Sequence, residues 1–149
     1  MNRQFLVPLF DLLRKTRVHH YQKLYKKSLQ WDRKHIEEYQ FNKFKRLISW
    51  AYSMNSFYRE RMESLDLTPD SFKGLEDIQK LPLLTRDDIK DNLDKLFSKR
   101  GDNAKIFKGG SSGTTGIPIT YYHDSDGESA GTAASYVLWG LSGWKLGMR

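Results

Sequence analysis

The sequence predicts a mixed α/β fold, in which a helical N-terminal region is followed by a strand, a glycine-rich loop, a second strand and a helix. Three observations support this prediction. Apolar residues recur at helical spacing up to about Leu65, and short helices alternate with turns from Asp66 to Arg100. From Asn103 onward the apolar spacing changes from helical to alternating, which is typical of strands.

The region up to Leu65 is predicted to be helical, with basic residues on its outer faces. Asp32 is placed to cap the longest helix, because its side chain can accept hydrogen bonds from the first free amides. The residues at helical spacing after it are Ile36, Tyr39, Lys43, Phe44, Leu47, Ile48, Ala51 and Tyr52. A shorter upstream stripe consists of Val18, Tyr21, Leu24, Tyr25 and Leu29. Such stripes are typical of faces that pack in a core, with Lys43 as the polar exception.

Residues 66–100 are predicted to form short helices separated by turns. The segment Leu67-Thr68-Pro69-Asp70 is a turn, and Leu81 ends a helical stretch because the residue before a proline is disfavoured in the helical region. Thr85 is predicted to cap the next helix in a capping box with Asp88. The apolar face of that helix comprises Ile89, Leu93, Leu96 and Phe97.

An acidic cluster in the same stretch raises the question of a metal site. It consists of Asp87, Asp88, Asp91 and Asp94. Asp87 and Asp88 fall in the first turn of the predicted helix, where negative charge offsets the helix dipole. We therefore predict a structural role for this cluster and no metal site.

The third part of the chain is predicted to form a strand, loop, strand and helix. Residues 104–108 and 117–122 have strand character, and residues 109–116 between them are rich in glycine and hydroxyl groups. The helix begins at Asp124 or Ser125, with Ser125 and Glu128 as a second capping box. One face carries small residues that would admit a close neighbour: Gly127, Ala130, Gly131 and Ala134.

Composition narrows the function classes. The 149 residues include no cysteine, which excludes disulfides, thiolate metal sites and a cysteine nucleophile and favours a reducing, cytoplasmic location. No apolar run approaches the roughly 20 residues of a membrane helix, so we expect no transmembrane segment. The net charge of +7 is uneven, because residues 1–61 hold 14 Lys and Arg against 5 Asp and Glu. We interpret these basic residues as solvated helix faces and expect no nucleic-acid partner, although such asymmetry also occurs in proteins that bind anionic surfaces.

The glycine-rich segment is the part of the sequence that carries chemistry. Glycines let backbone amides approach a ligand closely, and successive amides in such a turn form an anion-binding concavity. Four hydroxyls add donors that suit a polyphosphate: Ser111, Ser112, Thr114 and Thr115. The pattern is not a P-loop, because Gly116 is followed by Ile117 and Pro118 rather than by lysine and a hydroxyl residue. Composition alone leaves open a flexible serine- and glycine-rich linker.

The segment Ser112-Gly113-Thr114-Thr115-Gly116-Ile117-Pro118 resembles the phosphate-loop signature of the adenylate-forming superfamily, which includes acyl- and aryl-coenzyme A ligases, luciferases and adenylation domains. Many members carry a lysine where this chain has Ile119. A residue other than lysine at this position resembles the phenylacetate–coenzyme A ligase branch and its relatives in capsular polysaccharide clusters, which tolerate the change. Four other stretches resemble that branch, so the resemblance covers about residues 40–149: Phe57-Tyr58-Arg59, Leu75-Glu76-Asp77-Ile78, Leu81 to Ile89, and Gly143-Trp144-Lys145-Leu146-Gly147.

The resemblance implies an ATP-dependent ligase that first adenylates a small carboxylic acid and then passes the acyl group to a thiol, usually that of coenzyme A. It also implies Mg²⁺ and assigns the ATP phosphates to Ser111, Ser112, Gly113, Thr114, Thr115 and Gly116. Residues 1–65 would be an N-terminal helical region, and residues 66–149 the start of the adenylating domain. The adenine, acyl and magnesium contacts of such enzymes come later in the chain. We therefore expect the 149 residues to be an N-terminal part that is inactive alone, with no catalytic residue to assign.

Two other function classes remain open on the sequence. The chain could be a small module that binds a nucleotide without chemistry, or a basic helical protein that binds an anionic membrane or nucleic acid through residues 1–61. Four histidines are candidate catalytic groups only in principle: His19, His20, His35 and His123. We interpret them as surface or capping residues, and His123 deserves a test because it follows the glycine-rich loop closely.

Overall fold

The computed structural model describes residues 6–98, 106–111 and 119–145. The helices are α1 (Leu6–Arg14), α2 (Val18–Ser28), α3 (Arg33–Met54), α4 (Ser56–Glu63), α5 (Arg86–Asp91), α6 (Leu93–Leu96) and α7 (Ser125–Leu141). Two strands, β1 (Ile106–Gly110) and β2 (Thr120–Asp124), form an antiparallel two-stranded sheet. Short 3₁₀ helices occupy Pro69–Ser71 and Leu75–Lys80. The predicted mixture of an N-terminal helical region with two later strands and a following helix is confirmed.

The described residues divide into two compact units that are not contiguous in sequence. One unit falls within Met1–Trp31, Ala104–Gly109 and Tyr122–Arg149, and the other within Asp32–Asn103 and Gly110–Tyr121. The boundary predicted between residues 65 and 66 falls inside the second unit and stays a prediction. No helix among the described residues has the length and apolar character to span a lipid bilayer.

In the first unit, α2 packs against α7. Tyr21 of α2 is only 8% exposed, and its hydroxyl donates a hydrogen bond to Asp126 Oδ2 at 2.7 Å. The Arg17 guanidinium reaches Asp126 Oδ1 at 3.1 Å, and the Arg17 backbone N–H donates to Ser129 Oγ at 3.1 Å. These polar contacts form an α2–α7 clasp, which fixes the rotation of the two helices about each other.

Helix α1 is joined to α2 through one carboxylate. Asp11 accepts hydrogen bonds from the backbone N–H groups of Val18 at 3.1 Å and His19 at 2.7 Å, which are among the free amides at the start of α2. It also accepts one from the Thr16 hydroxyl at 2.6 Å. Asp11 therefore caps α2 from the preceding helix.

The second unit has a small apolar core beneath α3. Ile48, Met62 and Phe72 are buried together, and Phe44, Tyr52, Leu67 and Leu81 pack against them. Asn55, 3% exposed, joins α3 to its surroundings. Its side-chain oxygen accepts from the Tyr58 N–H at 3.1 Å and so caps α4. Its amide group donates to the Leu96 carbonyl at 2.9 Å and to Ser98 Oγ at 2.7 Å.

Several local predictions for this unit are confirmed. Asp32 caps α3 by accepting a hydrogen bond from the His35 N–H at 2.8 Å. Leu81 has an extended backbone and ends the 3₁₀ helix before Pro82. Thr85 and Asp88 form the reciprocal capping box at the start of α5.

Other predictions about the helical faces are wrong. Ile36 and Leu47 of α3 are 37% and 60% exposed, and Leu29 is 56% exposed. Leu47 lies about 100° around the helix from Ile48. The side of α3 that carries Ile48 therefore packs in the core, while the side that carries Leu47 faces solvent. Leu29 follows the last turn of α2. The helix predicted to continue from Thr85 to Phe97 is broken at Asn92, whose side chain donates to the Asp88 carbonyl at 3.0 Å and so competes with the helical pattern.

The start of α7 corrects a further prediction. Asp124 is the N-cap and accepts from the Gly127 N–H at 2.7 Å, whereas Ser125 and Glu128 form no capping box, because the Glu128 carboxylate is paired with His123. The predicted small-residue face is not the buried one. Gly127 and Gly131 are exposed, and the buried residues are Ser129, Ala133 and Val137. These repeat every four residues and lie on the face toward α2.

Candidate functional site

The glycine-rich segment lies between the two strands, as predicted. Ser111 is described, whereas the other predicted phosphate contacts lie outside the described residues: Ser112, Gly113, Thr114, Thr115 and Gly116. Gly109 and Gly110, expected in the loop, are the last residues of β1. Of the strand predicted over residues 104–108, the described residues from Ile106 are extended. The second strand runs to Asp124 rather than ending at Tyr122.

Ser111 and Ile119 close the neck of the loop. The Ser111 backbone N–H donates to the Ile119 carbonyl at 3.0 Å, and the Ile119 N–H donates to Ser111 Oγ at 3.0 Å. A hydroxyl that accepts one hydrogen bond can still donate its own proton. The neck thus joins both ends of the seven-residue connection 112–118, and Ser111 is a structural residue of the hairpin as well as a candidate donor.

Glycine at position 110 is not required by close packing. A Cβ built there would lie 3.7 Å from the Ile119 carbonyl oxygen, an ordinary van der Waals distance. Close approach of a glycine backbone to a ligand stays a prediction for Gly113 and Gly116, which lie outside the described residues.

His123 lies at the other end of β2, beside the start of α7. Its Nε2 atom is 2.8 Å from Glu128 Oε2, and its ring stacks on Phe107 of β1 with centroids 5.6 Å apart and planes inclined by 22°. Together with the Asp124 cap, these contacts fix the passage from β2 into α7. His123 is close to the loop in sequence, which made it a candidate. No sequence pattern indicated its pairing with Glu128.

Some of the described carboxylates pair with a neighbouring histidine or cap a helix. Asp32 lies 2.8 Å from His35 Nδ1, and this contact raises the pKa of His35 while the backbone N–H of His35 holds the pKa of Asp32 down. Hydrogen bonds from Thr85, with the nearby Arg61, lower the pKa of Asp88. Within residues 6–98, 106–111 and 119–145, no group of three or more histidines and carboxylates could hold a metal ion.

Comparison with known proteins points to one enzyme branch. A phenylacetate-coenzyme A ligase of Thermus thermophilus is 33% identical over 88 residues, which are 58% of this chain and 19% of that protein. The CapK protein of Staphylococcus aureus is 29% identical over 85 residues, or 57% of this chain and 18% of CapK. A phenylacetate-coenzyme A ligase of Escherichia coli is 30% identical over 94 residues, or 61% and 21%. The resemblance to the phenylacetate–coenzyme A ligase branch is confirmed.

The extent of these similarities is limited. The chain spans about a fifth of the length of the curated relatives it matches. No protein-family model matches it.

Proposed function

We propose that this chain supplies the phosphate-binding loop of an ATP-dependent ligase that adenylates a small carboxylic acid. The observation that carries the proposal is the signature of residues 112–118, which follows a paired strand and precedes another. Similarity to proteins named as phenylacetate-coenzyme A ligases supports the same reaction class. A cytoplasmic location fits an enzyme that uses ATP.

The proposed reaction has two steps. A carboxylate oxygen of the acid attacks the α-phosphorus of ATP, the bond to the bridging oxygen breaks, and pyrophosphate leaves. The sulfur of a thiol, for which we propose coenzyme A, then attacks the acyl carbon of the adenylate, and AMP leaves as the thiol loses its proton.

The proposed role of the loop is to hold the β- and γ-phosphates. Amides and hydroxyls of Ser112, Gly113, Thr114, Thr115 and Gly116 would donate hydrogen bonds to the phosphate oxygens, which suits a leaving group that carries negative charge. The paired neck supports this role, because a loop with joined ends loses less conformational entropy when it closes on a ligand. Magnesium neutralises phosphate charge in reactions of this kind. We assign no step to the ion.

The proposal is tested by carboxylate-dependent exchange of pyrophosphate into ATP. Thr115→Val keeps the side-chain shape and removes one donor to a charged group, which is worth about 1.5–3 kcal/mol. We expect kcat/KM for ATP to fall roughly 10- to 150-fold while the KM for the acid stays nearly constant. Thr120→Val is the matched control, because it makes the same change in β2, where valine is well tolerated.

The assay needs both the 149-residue chain and the longest polypeptide that the gene encodes. The relatives are about five times as long as the matched segment, so we expect exchange in the longer product and none in the 149 residues alone. Unchanged exchange kinetics in Thr115→Val would remove that residue from the site. ATP binding without exchange for any acid, in either product, would replace the ligase proposal with a nucleotide-binding module.

A further inference from the structure

The outer face of α1 is apolar and exposed. Leu9 and Phe10 are 51% and 52% exposed, and Leu12 and Leu13 are 77% and 70% exposed. At 100° per residue these four side chains occupy one arc of about 160° on the helix surface. A helix of a water-soluble domain ordinarily turns such an arc toward the core.

The orientation of this arc is fixed by Asp11. Its carboxylate binds the backbone amides at the start of α2, so the polar side of α1 faces inward. On the helical wheel, Asp11 lies about 160° from both Leu9 and Leu13, which places it on the opposite side of the helix. The cap therefore holds the apolar arc on the side away from α2, and α1 is amphipathic with its apolar side outward.

The segment that contains this arc has an excess of positive charge. Residues 1–31 contain seven Lys and Arg and a single acidic residue, Asp11, whose carboxylate is used in the cap. Arg17 is paired with Asp126 in the α2–α7 clasp. The exposed cations of α1, α2 and the turn between them are Arg14, Lys15, Lys23, Lys26 and Lys27.

We propose that α1 docks on an anionic phospholipid surface, and we define the docking face as the four apolar residues together with Arg14, which lies 5.8 Å from the Phe10 ring, and the exposed Lys15 that follows it. The apolar arc lies in the boundary between headgroups and acyl chains, and the cations contact lipid phosphates. Charge complementarity selects an anionic surface, and the apolar arc selects a lipid one. A nucleic acid would neutralise the same cations but would leave four large apolar side chains in water. This inference is independent of the ligase proposal.

Vesicle binding of the full chain tests the proposal. We expect at least tenfold tighter association with phosphatidylcholine vesicles containing about 30 mol % phosphatidylglycerol than with pure phosphatidylcholine, and weaker association as salt is raised. Arg14→Gln with Lys15→Gln should weaken anionic binding roughly tenfold or more, because these two exposed cations adjoin the apolar arc and would contact the lipid phosphates. Lys73→Gln, an exposed cation of the second unit, is the control and should change nothing.

The apolar arc is tested separately. Leu12→Ser with Leu13→Ser should lower anionic binding at least tenfold without altering the circular dichroism spectrum, since both side chains are exposed. Because the chain has no cysteine, Leu12→Cys also gives a unique site for an environment-sensitive dye. Its emission should shift to the blue and brighten with anionic vesicles, while a dye at Leu83→Cys, where the native side chain is 90% exposed, should not respond.

Several outcomes would overturn the proposal. They are equal binding to neutral vesicles, no binding to anionic ones, full binding by the Leu12 and Leu13 double variant, or an unchanged dye at position 12. Tight binding to duplex DNA that survives the leucine changes, with no binding to vesicles, would assign the cations to a nucleic acid instead.

Discussion

Replacing Tyr21 by phenylalanine should weaken the first unit by the free energy of one charge-assisted hydrogen bond. The ring stays, so the buried apolar contact is retained, and only the 2.7 Å bond to Asp126 is lost. Hydrogen bonds to charged groups contribute about 1.5–3 kcal/mol. Because the Asp126 side chain is 30% exposed and can recruit water once the hydroxyl is gone, we expect a loss of about 1–2 kcal/mol in the free energy of unfolding.

The pH dependence of the same variant gives an independent check. Burial, and then the hydrogen bond and negative charge of Asp126, raise the pKa of Tyr21 from 10.0 to about 12. A group whose pKa is higher in the folded state contributes stability in full below its unfolded pKa and loses it as the pH rises through the folded value. The advantage of the native protein over Tyr21→Phe should therefore be constant up to about pH 10 and disappear toward pH 12.

Urea denaturation followed by circular dichroism measures both quantities. The midpoint should fall in Tyr21→Phe while the denaturant slope stays constant. Tyr136→Phe in α7 makes the same chemical change where the described residues show a ring stack on Trp144 rather than a hydroxyl bond to a carboxylate, and it should be nearly neutral. An unchanged midpoint in Tyr21→Phe, or an equal loss in Tyr136→Phe, would refute the assignment of stability to the α2–α7 clasp.

Three further predictions concern the second unit. Asn55→Ala removes the α4 cap and two hydrogen bonds to half-buried partners, so we expect a loss of about 2–4 kcal/mol in urea denaturation. Phe72→Ala should cost about 3–5 kcal/mol by the same assay, while Leu83→Ala, at a 90% exposed position, should stay within about 0.5 kcal/mol. The pair of Asp32, with a lowered pKa, and His35, with a raised one, should stabilise α3 most between about pH 4 and 6.5 and less on either side, which an NMR titration of His35 with and without Asp32→Asn would detect.

Local signals were predictable from the sequence because their causes are local. The caps at Asp32 and Thr85 and the stop before Pro82 depend on residues within four positions. The second capping box failed for a similarly local reason, because Asp124 caps the helix and the Glu128 carboxylate is paired with His123. Sequence spacing alone does not rank two partners that compete for one carboxylate.

The choice of packed faces was not predictable in the same way. On α7 the small residues at 127, 130, 131 and 134 looked suited to a close neighbour, but the face around Ser129 is buried. A serine can lie on a buried face when its hydroxyl is satisfied, and Ser129 donates to the Ser125 carbonyl at 2.6 Å and accepts from the Arg17 N–H. Predicting this face would have required knowing that Ser129 of α7 lies beside the Arg17 N–H at the start of α2. The candidate phosphate loop was recognised from its sequence signature at residues 112–118. The contacts of that loop with phosphate stay predictions.

The α2–α7 clasp also sets an order of events during synthesis. Tyr21 is synthesised 105 residues before Asp126, and at about 5–20 residues per second this separation lasts roughly 5–20 s. During that interval α2 exists without the helix that covers Tyr21, while the second unit can already close around Phe72. The first unit is therefore completed last, and it is the one that a nascent-chain chaperone would need to protect.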